Sequence, residues 1–280
     1  MVIAVASGKG GTGKTTVAVN LALSLSDVQF IDADVEEPNA NLFLKVDLQK
    51  LEDVAIPIPQ VNANCSFCGR CTEFCQYNAI VVIPNKVIVF PELCHGCGGC
   101  KLVCPNNAIA EQPHVIGYIE HGKTDTIEFY HGVLKPGKPS ATPIIRQLKR
   151  KIDPTRTVII DVAPGIGCTV IESLRGVDFC LLVTEPTPFG LYDLDLTVSV
   201  IKQLHIPCGV VINRSTIGDD RVQHYCEAQN IPVLLQIPYD DKIAQLYSQG
   251  IPFVSQFDSW RDKFRSLFDK INEAAHHNKW

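Results

Sequence analysis

The sequence predicts an α/β fold: a mostly parallel sheet with helices on both faces, interrupted by a small α+β insert. Three observations carry this. Near-continuous apolar runs alternate with segments of helical periodicity, the pattern of strands buried on both faces. A glycine-rich loop stands between the first apolar run and the first helical segment. Between about Val61 and Gln112 the composition changes, with cysteine and glycine rising and long amphipathic segments vanishing. The expected division is 1–60 and 113–280 for the main domain and 61–112 for the insert.

The first strand is Val2-Ile3-Ala4-Val5-Ala6, followed by Gly8-Lys9-Gly10-Gly11-Thr12-Gly13-Lys14-Thr15 and then Thr16 and a helix from Val17 to Leu25. Glycines there let backbone N–H groups curl around phosphate oxygens without Cβ clashes, and the helix N-terminus adds partial positive charge. Lys14 is placed to reach the β- and γ-phosphates and the Thr15 hydroxyl to hold Mg²⁺. Val28–Asp34 reads as a short buried strand ending on Asp32 and Asp34, with polar loop residues Glu36-Glu37-Pro38-Asn39 after it.

Beyond the insert, Val115–Glu120 and Thr126–His131 read as a hairpin around Gly122-Lys123. Ser140 is the expected N-cap of a helix reaching about Ile152. Thr157–Val162, Phe179–Thr184, Cys208–Ile212 and Val233–Ile237 are apolar strands, separated by helical stretches at Leu191–Leu204 and Arg221–Gln229. Sheets of this kind bind ligands at the carboxyl ends of their strands. The glycine loop, Asp34, Asp161 and Asn213 all fall at such ends, so one nucleotide site is expected to gather them. The last helix, from about Trp260 to Ala275, carries Trp260, Phe264, Leu267, Phe268 and Ile271 on one face. Its charges are mixed, unlike the basic polar face of a membrane-surface helix, so it is expected to pack on its own sheet.

The totals bound the partners. A net charge of −5 offers no electrostatic case for nucleic-acid binding. No apolar run approaches a membrane span, and the N-terminus lacks the basic region of a signal peptide. The expectation is a cytoplasmic protein that does not bind membranes directly. Of twelve cysteines, eight lie within Cys65–Cys104. Without an export signal, that spacing favours metal or cluster ligation over disulfides.

Lys9 is a second lysine that an ordinary phosphate loop does not need. With it, Lys9–Thr15 resembles the deviant Walker A motif of the MinD/ParA/nitrogenase-iron-protein class of P-loop ATPases. The resemblance implies ATP and Mg²⁺ as ligands. It also implies a nucleotide-sandwiched homodimer, or a heterodimer with a related ATPase, in which Lys9 crosses the interface. It further implies that Asp34 orients the attacking water while Asp32 lies near the Mg²⁺ shell. Val158-Ile159-Ile160-Asp161 is similar to Walker B, with Asp161 holding Mg²⁺, and Ala163-Pro164-Gly165 to switch II. Val210–Arg214 resembles the adenine-reading segment, with Asn213 on the base edge, Arg214 beside it and Pro238 flanking the ring. Asp193 is the expected resting partner of Lys9.

The insert reads Cys65-x₂-Cys68-x₂-Cys71-x₃-Cys75 and Cys94-x₂-Cys97-x₂-Cys100-x₃-Cys104-Pro105, which resembles bacterial two-cluster ferredoxins. That implies two [4Fe-4S] clusters with crossed ligation: one on Cys65, Cys68, Cys71 and Cys104, the other on Cys94, Cys97, Cys100 and Cys75. Gln76 departs from the proline usual after the fourth cysteine. Structural zinc is the alternative, but zinc sites rarely need two four-cysteine runs with this internal symmetry. His95 is expected at the surface or against sulfur, not as a ligand. Cys168, just after switch II, is read first as a buried thiol. Its alternative is an interface metal or redox thiol, paired across a twofold. Cys180, Cys208 and Cys226 are expected in the core.

The implied function is an ATP-driven dimeric switch coupled to electron transfer. It would serve metal-cluster assembly or reduction of a partner metalloprotein. A spatial regulator with redox-sensing clusters and an iron–sulfur scaffold or carrier are the other readings.

Overall fold

The computed structural model describes residues 1–277. In chain order the elements begin β1 (Val2–Ala6), α1 (Lys14–Ser24), β2 (Val28–Asp32), α2 (Ala40–Leu44) and β3 (Gln49–Val61). Next come α3 (Arg70–Phe74), β4 (Ile80–Ile83), β5 (Lys86–Val89), α4 (Gly99–Leu102), β6 (Ile109–Lys123) and β7 (Ile127–Leu134). The last part holds α5 (Thr142–Lys149), β8 (Thr157–Asp161), α6 (Cys168–Leu174), β9 (Phe179–Thr184), α7 (Pro188–Gln203), β10 (Cys208–Asn213), α8 (Arg221–Ala228), β11 (Val233–Ile237), α9 (Asp241–Ser248) and α10 (Asp258–His277).

Nine strands form one sheet in the order β11-β10-β9-β1-β8-β2-β7-β6-β3. The strands from β11 to β7 are mutually parallel, and β6 and β3 add antiparallel to that edge. The apolar strands β1, β2, β8, β9 and β10 are buried on both sides, as their composition requires. In β1, Ile3 and Val5 face a core layer shared with α1 and α10, while Ala4 and Ala6 face one shared with α5, α6, α7 and α8. In α10, Trp260, Phe264, Leu267 and Ile271 are buried in the first layer, with Phe268 partly buried beside them. The expected packing of this helix on its own sheet is what the structure shows. Among the described residues no helix is long and apolar enough to cross a membrane.

Three local expectations are corrected. The β6–β7 turn is at 124–126, because Gly122 and Lys123 still pair in register with Phe129 and Glu128. Thr124 makes the turn, its hydroxyl accepting from the Ile127 N–H at 3.1 Å. Helix α5 is capped by Ala141, not Ser140, and is shaped by a proline in its first turn, where a missing N–H costs nothing. The segment 49–61 was read without a strand, yet it forms the long β3. Its alternation is broken by Pro57 and Pro59, which are tolerated because β3 is an edge strand.

β3 and β6 pair from Gln49–His121 to Val61–Ile109. Residues 62–108 leave and re-enter the fold at the far end of this ribbon. They form α3, α4 and the β4–β5 hairpin around a small apolar cluster of Cys71, Ile80 and Ile109.

Replacing the fully buried Phe264 by alanine is expected to cost about 3–5 kcal/mol of stability. Urea unfolding measures this. A loss below about 0.5 kcal/mol, the usual range for a surface site, would contradict the docked position of α10.

Candidate nucleotide site and two cysteine-lined cavities

The loop after β1 sits between β8 and β9 at the carboxyl edge of the sheet. Gly13, the N-cap of α1, has φ +88°, and a Cβ there would meet the Asn213 amide at 2.3 Å. Glycine is therefore required twice over at this point. Lys14 is buried, and its Nζ donates to Asp161 Oδ1 at 2.6 Å. Burial pulls the Lys14 pKa down. The carboxylates of Asp161, Asp32 and Asp34 outweigh that and hold it above its usual value.

Asp32 and Asp161 are in register on adjacent parallel strands, so two buried carboxyls lie side by side with one lysine. Burial, then the neighbouring Asp161 charge, push the Asp32 pKa up to about 7. Both Asp32 oxygens are engaged by backbone: Oδ1 accepts from Asp34 N–H at 3.1 Å, Oδ2 from Asn39 and Ala40 N–H at 3.0 and 3.1 Å. Asp32 thus fastens the loop that carries Asp34 to the start of α2. Asp161 Oδ2 is buried and has no partner, as is Thr12 Oγ1. An unsatisfied buried carboxylate oxygen next to a carboxyl pair is a place where a hydrated divalent cation fits. Asp34, half-buried at the cleft wall, has its pKa raised by burial against the opposing pull of Lys14.

A cleft of about 1260 Å³ brings together Lys9, Gly10, Gly11, Gly13, Lys14, Thr15, Thr16, Asp34, Asn213, Arg214 and Pro238. Tyr239, Ile243 and Tyr247 add an apolar wall from α9 and the loop before it. Thr12, Asp32 and Asp161 are buried behind the cleft, and Gly8 lies outside its lining. Asn213 donates its amide to the Thr12 carbonyl at 2.8 Å and accepts from the Arg214 N–H. In this structure it braces the glycine loop.

Lys9 does not pair with Asp193. Its Nζ lies 3.6 Å from Glu185, a buried carboxylate just past β9 that also binds Arg214. Asp193 is kept away because its own backbone packs against Gly8, where a Cβ would meet its carbonyl oxygen at 2.3 Å. Glu185 went unnoticed in the sequence. The available signal was its place directly after a parallel strand that neighbours β1.

Two further cavities lie in the insert. One, of about 350 Å³, is lined by Cys65, Cys68, Cys71 and Cys104, the other, of about 570 Å³, by Cys75, Cys94, Cys97 and Cys100. The two halves repeat each other. Phe67 and Gly96 N–H donate to Cys65 and Cys94 Sγ at 3.4 Å, and Ala79 and Ala108 N–H to Cys75 and Cys104 Sγ at 3.3 and 3.2 Å. Burial pushes the Cys71 and Cys94 thiols up and Cys100 up to about 11. His95 stacks on Tyr77 at 3.7 Å between centroids, beside the second cavity. Cys180, Cys208 and Cys226 are buried as expected. Cys168 is exposed at the start of α6, contrary to its reading as a buried thiol, because α6 turns its first residue outward while Val170 and Leu174 face the core.

The description "CobQ/CobB/MinD/ParA nucleotide binding domain" matches residues 3–253. The chain belongs to this MinD/ParA family. A Pyrococcus furiosus cell-division ATPase MinD shares the fold, with a TM-score of 0.60, 21% identity and coverage of 97% of this chain and 98% of that one. An uncharacterized protein of Methanocaldococcus jannaschii is 30% identical over 100% of this chain and 98% of its own length. An iron-sulfur cluster carrier protein of Pyrococcus horikoshii is 26% identical over 96% of this chain and 84% of its own length. The MinD/ParA P-loop ATPase fold is thus the frame of the chain.

For Asp32 the folded pKa, about 7, lies above the ordinary 3.8. The protonated form is favoured by folding, so its contribution to stability is present below pH 4 and lost as pH rises to 7. The stability difference between wild type and Asp32→Asn, by urea unfolding without nucleotide, is therefore expected to fall across that window. A difference that rises with pH would reverse the assignment.

Proposed function

We propose that the chain is a dimeric Mg-ATP switch carrying two [4Fe-4S] clusters. In this reading ATP state is coupled to electron transfer toward metal-cluster assembly or a partner metalloprotein. The observation that carries it is the crossed lining of the two cavities, each with three cysteines from one run and the fourth from the other. Among the described residues no three Cys, His, Asp or Glu side chains come close enough to hold one metal ion. Thiols that ring a space suit a polynuclear cluster better than a single zinc. The clusters would supply one-electron chemistry. The N–H···S bonds described above would stabilise the thiolates, and the protons of the raised-pKa thiols would leave on loading. Residues 61–112 are assigned to this cluster-binding domain, and 1–60 with 113–280 to the ATPase domain.

In the ATPase half, arriving phosphates compete for Lys14 and draw it from Asp161. The freed Asp161 carboxylate and the Thr15 hydroxyl would hold Mg²⁺, which would offset charge on the phosphates. Asp34 orients the attacking water. Lys9 leaves Glu185 to meet the nucleotide of a partner subunit, which neutralises charge building on the γ-phosphate. Asn213, Arg214 and Pro238 border the adenine. Gly165 has φ +102° and donates its N–H to the Ser7 carbonyl at 2.9 Å, so switch II is hinged directly to the phosphate loop and can respond to γ-phosphate loss.

A second reading is supported by the relatives named iron-sulfur cluster carrier proteins. The protein would deliver a cluster instead of electrons. Mixing loaded protein with an apo-acceptor separates the two: iron moves in the carrier case, and only electrons move in the first.

Lys14→Ala is expected to lower ATP turnover by about 100-fold or more; unchanged turnover would remove the site assignment. Anaerobic iron and sulfide analysis with EPR is expected to find two reducible cubanes. Cys104→Ser is expected to lose the cluster held by Cys65, Cys68 and Cys71 and keep the other. Loss of the other cluster alone, or zinc in place of iron, would overturn the ligand set.

A further inference from the structure

The two cysteine-lined cavities are not equivalent toward the ATPase. The cavity of Cys65, Cys68, Cys71 and Cys104 is walled by the insert and by Val61 and Ile109 at the ribbon's tip. The cavity of Cys75, Cys94, Cys97 and Cys100 rests on the body of the ribbon, through Pro57, Pro59 and Glu111. A Cβ on Gly96, two residues after Cys94, would stand 3.0 Å from Ile56 and 3.2 Å from Pro57. The Cys94 loop therefore lies directly on β3.

The strand beside this ribbon, β7, is tied to the segment that carries Asp34. The Val35 carbonyl accepts from Leu134 N–H at 2.8 Å, and its side chain packs over Gly132 in β7. From there residues 135–141 run as a strap to α5. The Lys135 N–H bonds the Ile116 carbonyl of β6 at 2.9 Å. Ala141, at the strap's end, shares a cavity of about 500 Å³ with Asp34, Val35, Ala163 and Pro164. Midway, Lys138 is largely buried and reaches two ways. Its Nζ donates to His114 Nε2 at 2.9 Å and lies 3.8 Å from Glu92. His114 is the register partner of Ile56 on β3, and Glu92 stands two residues before Cys94.

We infer that this strap, with Lys138 as its positioning residue, transmits the state of the nucleotide loops to the Cys94–Gly96 loop. One of the two cluster sites then responds to nucleotide and the other does not. The inference deepens the proposed cluster-bearing switch and rests on it. A movement of Val35 on nucleotide exchange displaces Leu134 through a backbone hydrogen bond. The strap is anchored at both ends, so Lys138 shifts against His114 and Glu92. The amide of Gly96, which donates to Cys94 Sγ, moves with them, and such N–H···S bonds set cluster potential. Among the described residues the other cavity borders the ribbon at its tip, through Val61 and Ile109, and not along its body.

The test uses the full chain, anaerobically reconstituted, with Mg-ADP or a non-hydrolysable Mg-ATP analogue. Redox titration followed by EPR reads each cluster, with Cys97→Ser identifying the signal of the proximal one. Replacing ADP by the analogue is expected to change the reduced-to-oxidised ratio of the proximal cluster at fixed potential by about fivefold or more. The distal ratio should stay constant. Amide exchange of residues 92–98 should change in parallel. Lys138→Ala should lose both responses while keeping ATP turnover and iron content, and Lys138→Arg should retain them. Equal shifts at both clusters, no shift in a protein holding two cubanes, or responses that survive in Lys138→Ala would each overturn the inference. A chain that holds no cubanes overturns the cluster reading instead. Amide exchange at 92–98 still decides the strap in that case, since an unchanged rate refutes it.

Discussion

The structure depends most on the buried Lys14–Asp161 ion pair. It joins the first turn of α1 to the tip of β8 and closes the glycine loop over the sheet edge. Removing one partner of a buried pair leaves an uncompensated charge, typically at a cost of about 3–5 kcal/mol. Here that charge would stand beside Asp32. Three carboxyls, Asp32, Asp34 and Asp161, surround one buried ammonium and raise its pKa. Asp32 escapes by taking three backbone N–H bonds, which turns it into a fastener for the loop bearing Asp34. Asp161 keeps an unpartnered oxygen. That leaves a buried carboxylate oxygen unsatisfied beside the Lys14 ammonium, at the carboxyl edge of the sheet.

The second constraint is the antiparallel ribbon of β3 and β6. The parallel sheet ends at β7, where an open edge would be exposed. Adding β6 and β3 moves that edge outward and provides a rigid stem for residues 62–108. Because the stem is hydrogen-bonded along its length, the insert is held by a sheet instead of a flexible linker. It also gives the two cavities different neighbours.

Much of the fold was legible because long apolar strands and glycine loops are local signals. Phe179–Thr184 and Val233–Ile237 matched to the residue, the first because it is buried on both faces and ends at charged residues, the second because prolines stand at both of its ends. The elements that were missed carry weak local signals. β3 has two prolines and an edge position. α6 is a single short stretch after a glycine turn, and α9 has no buried residue among its eight. Within the site, the loop lysines and strand-end aspartates were legible from spacing. Glu185 was not, because a glutamate before a proline looks like any turn until β9 is known to lie against β1. Asp193 misled for the same reason: its place in the chain was right for Lys9, but its helix approaches Gly8 with backbone.

The sequence by itself determined the alternation of buried strands and helices, the phosphate loop and the two cysteine runs, since each is written in residue type and short-range spacing. Tertiary structure decided what crosses between distant segments. It paired Lys9 with Glu185, set Cys168 at the surface, and brought Cys104 to the first cysteine run and Cys75 to the second. It also laid the Cys94 loop, but not the Cys65 loop, on the ribbon beside the strap. These depend on which strands are neighbours and in what register, and that choice is made by the collective burial of the sheet rather than by any local run of residues.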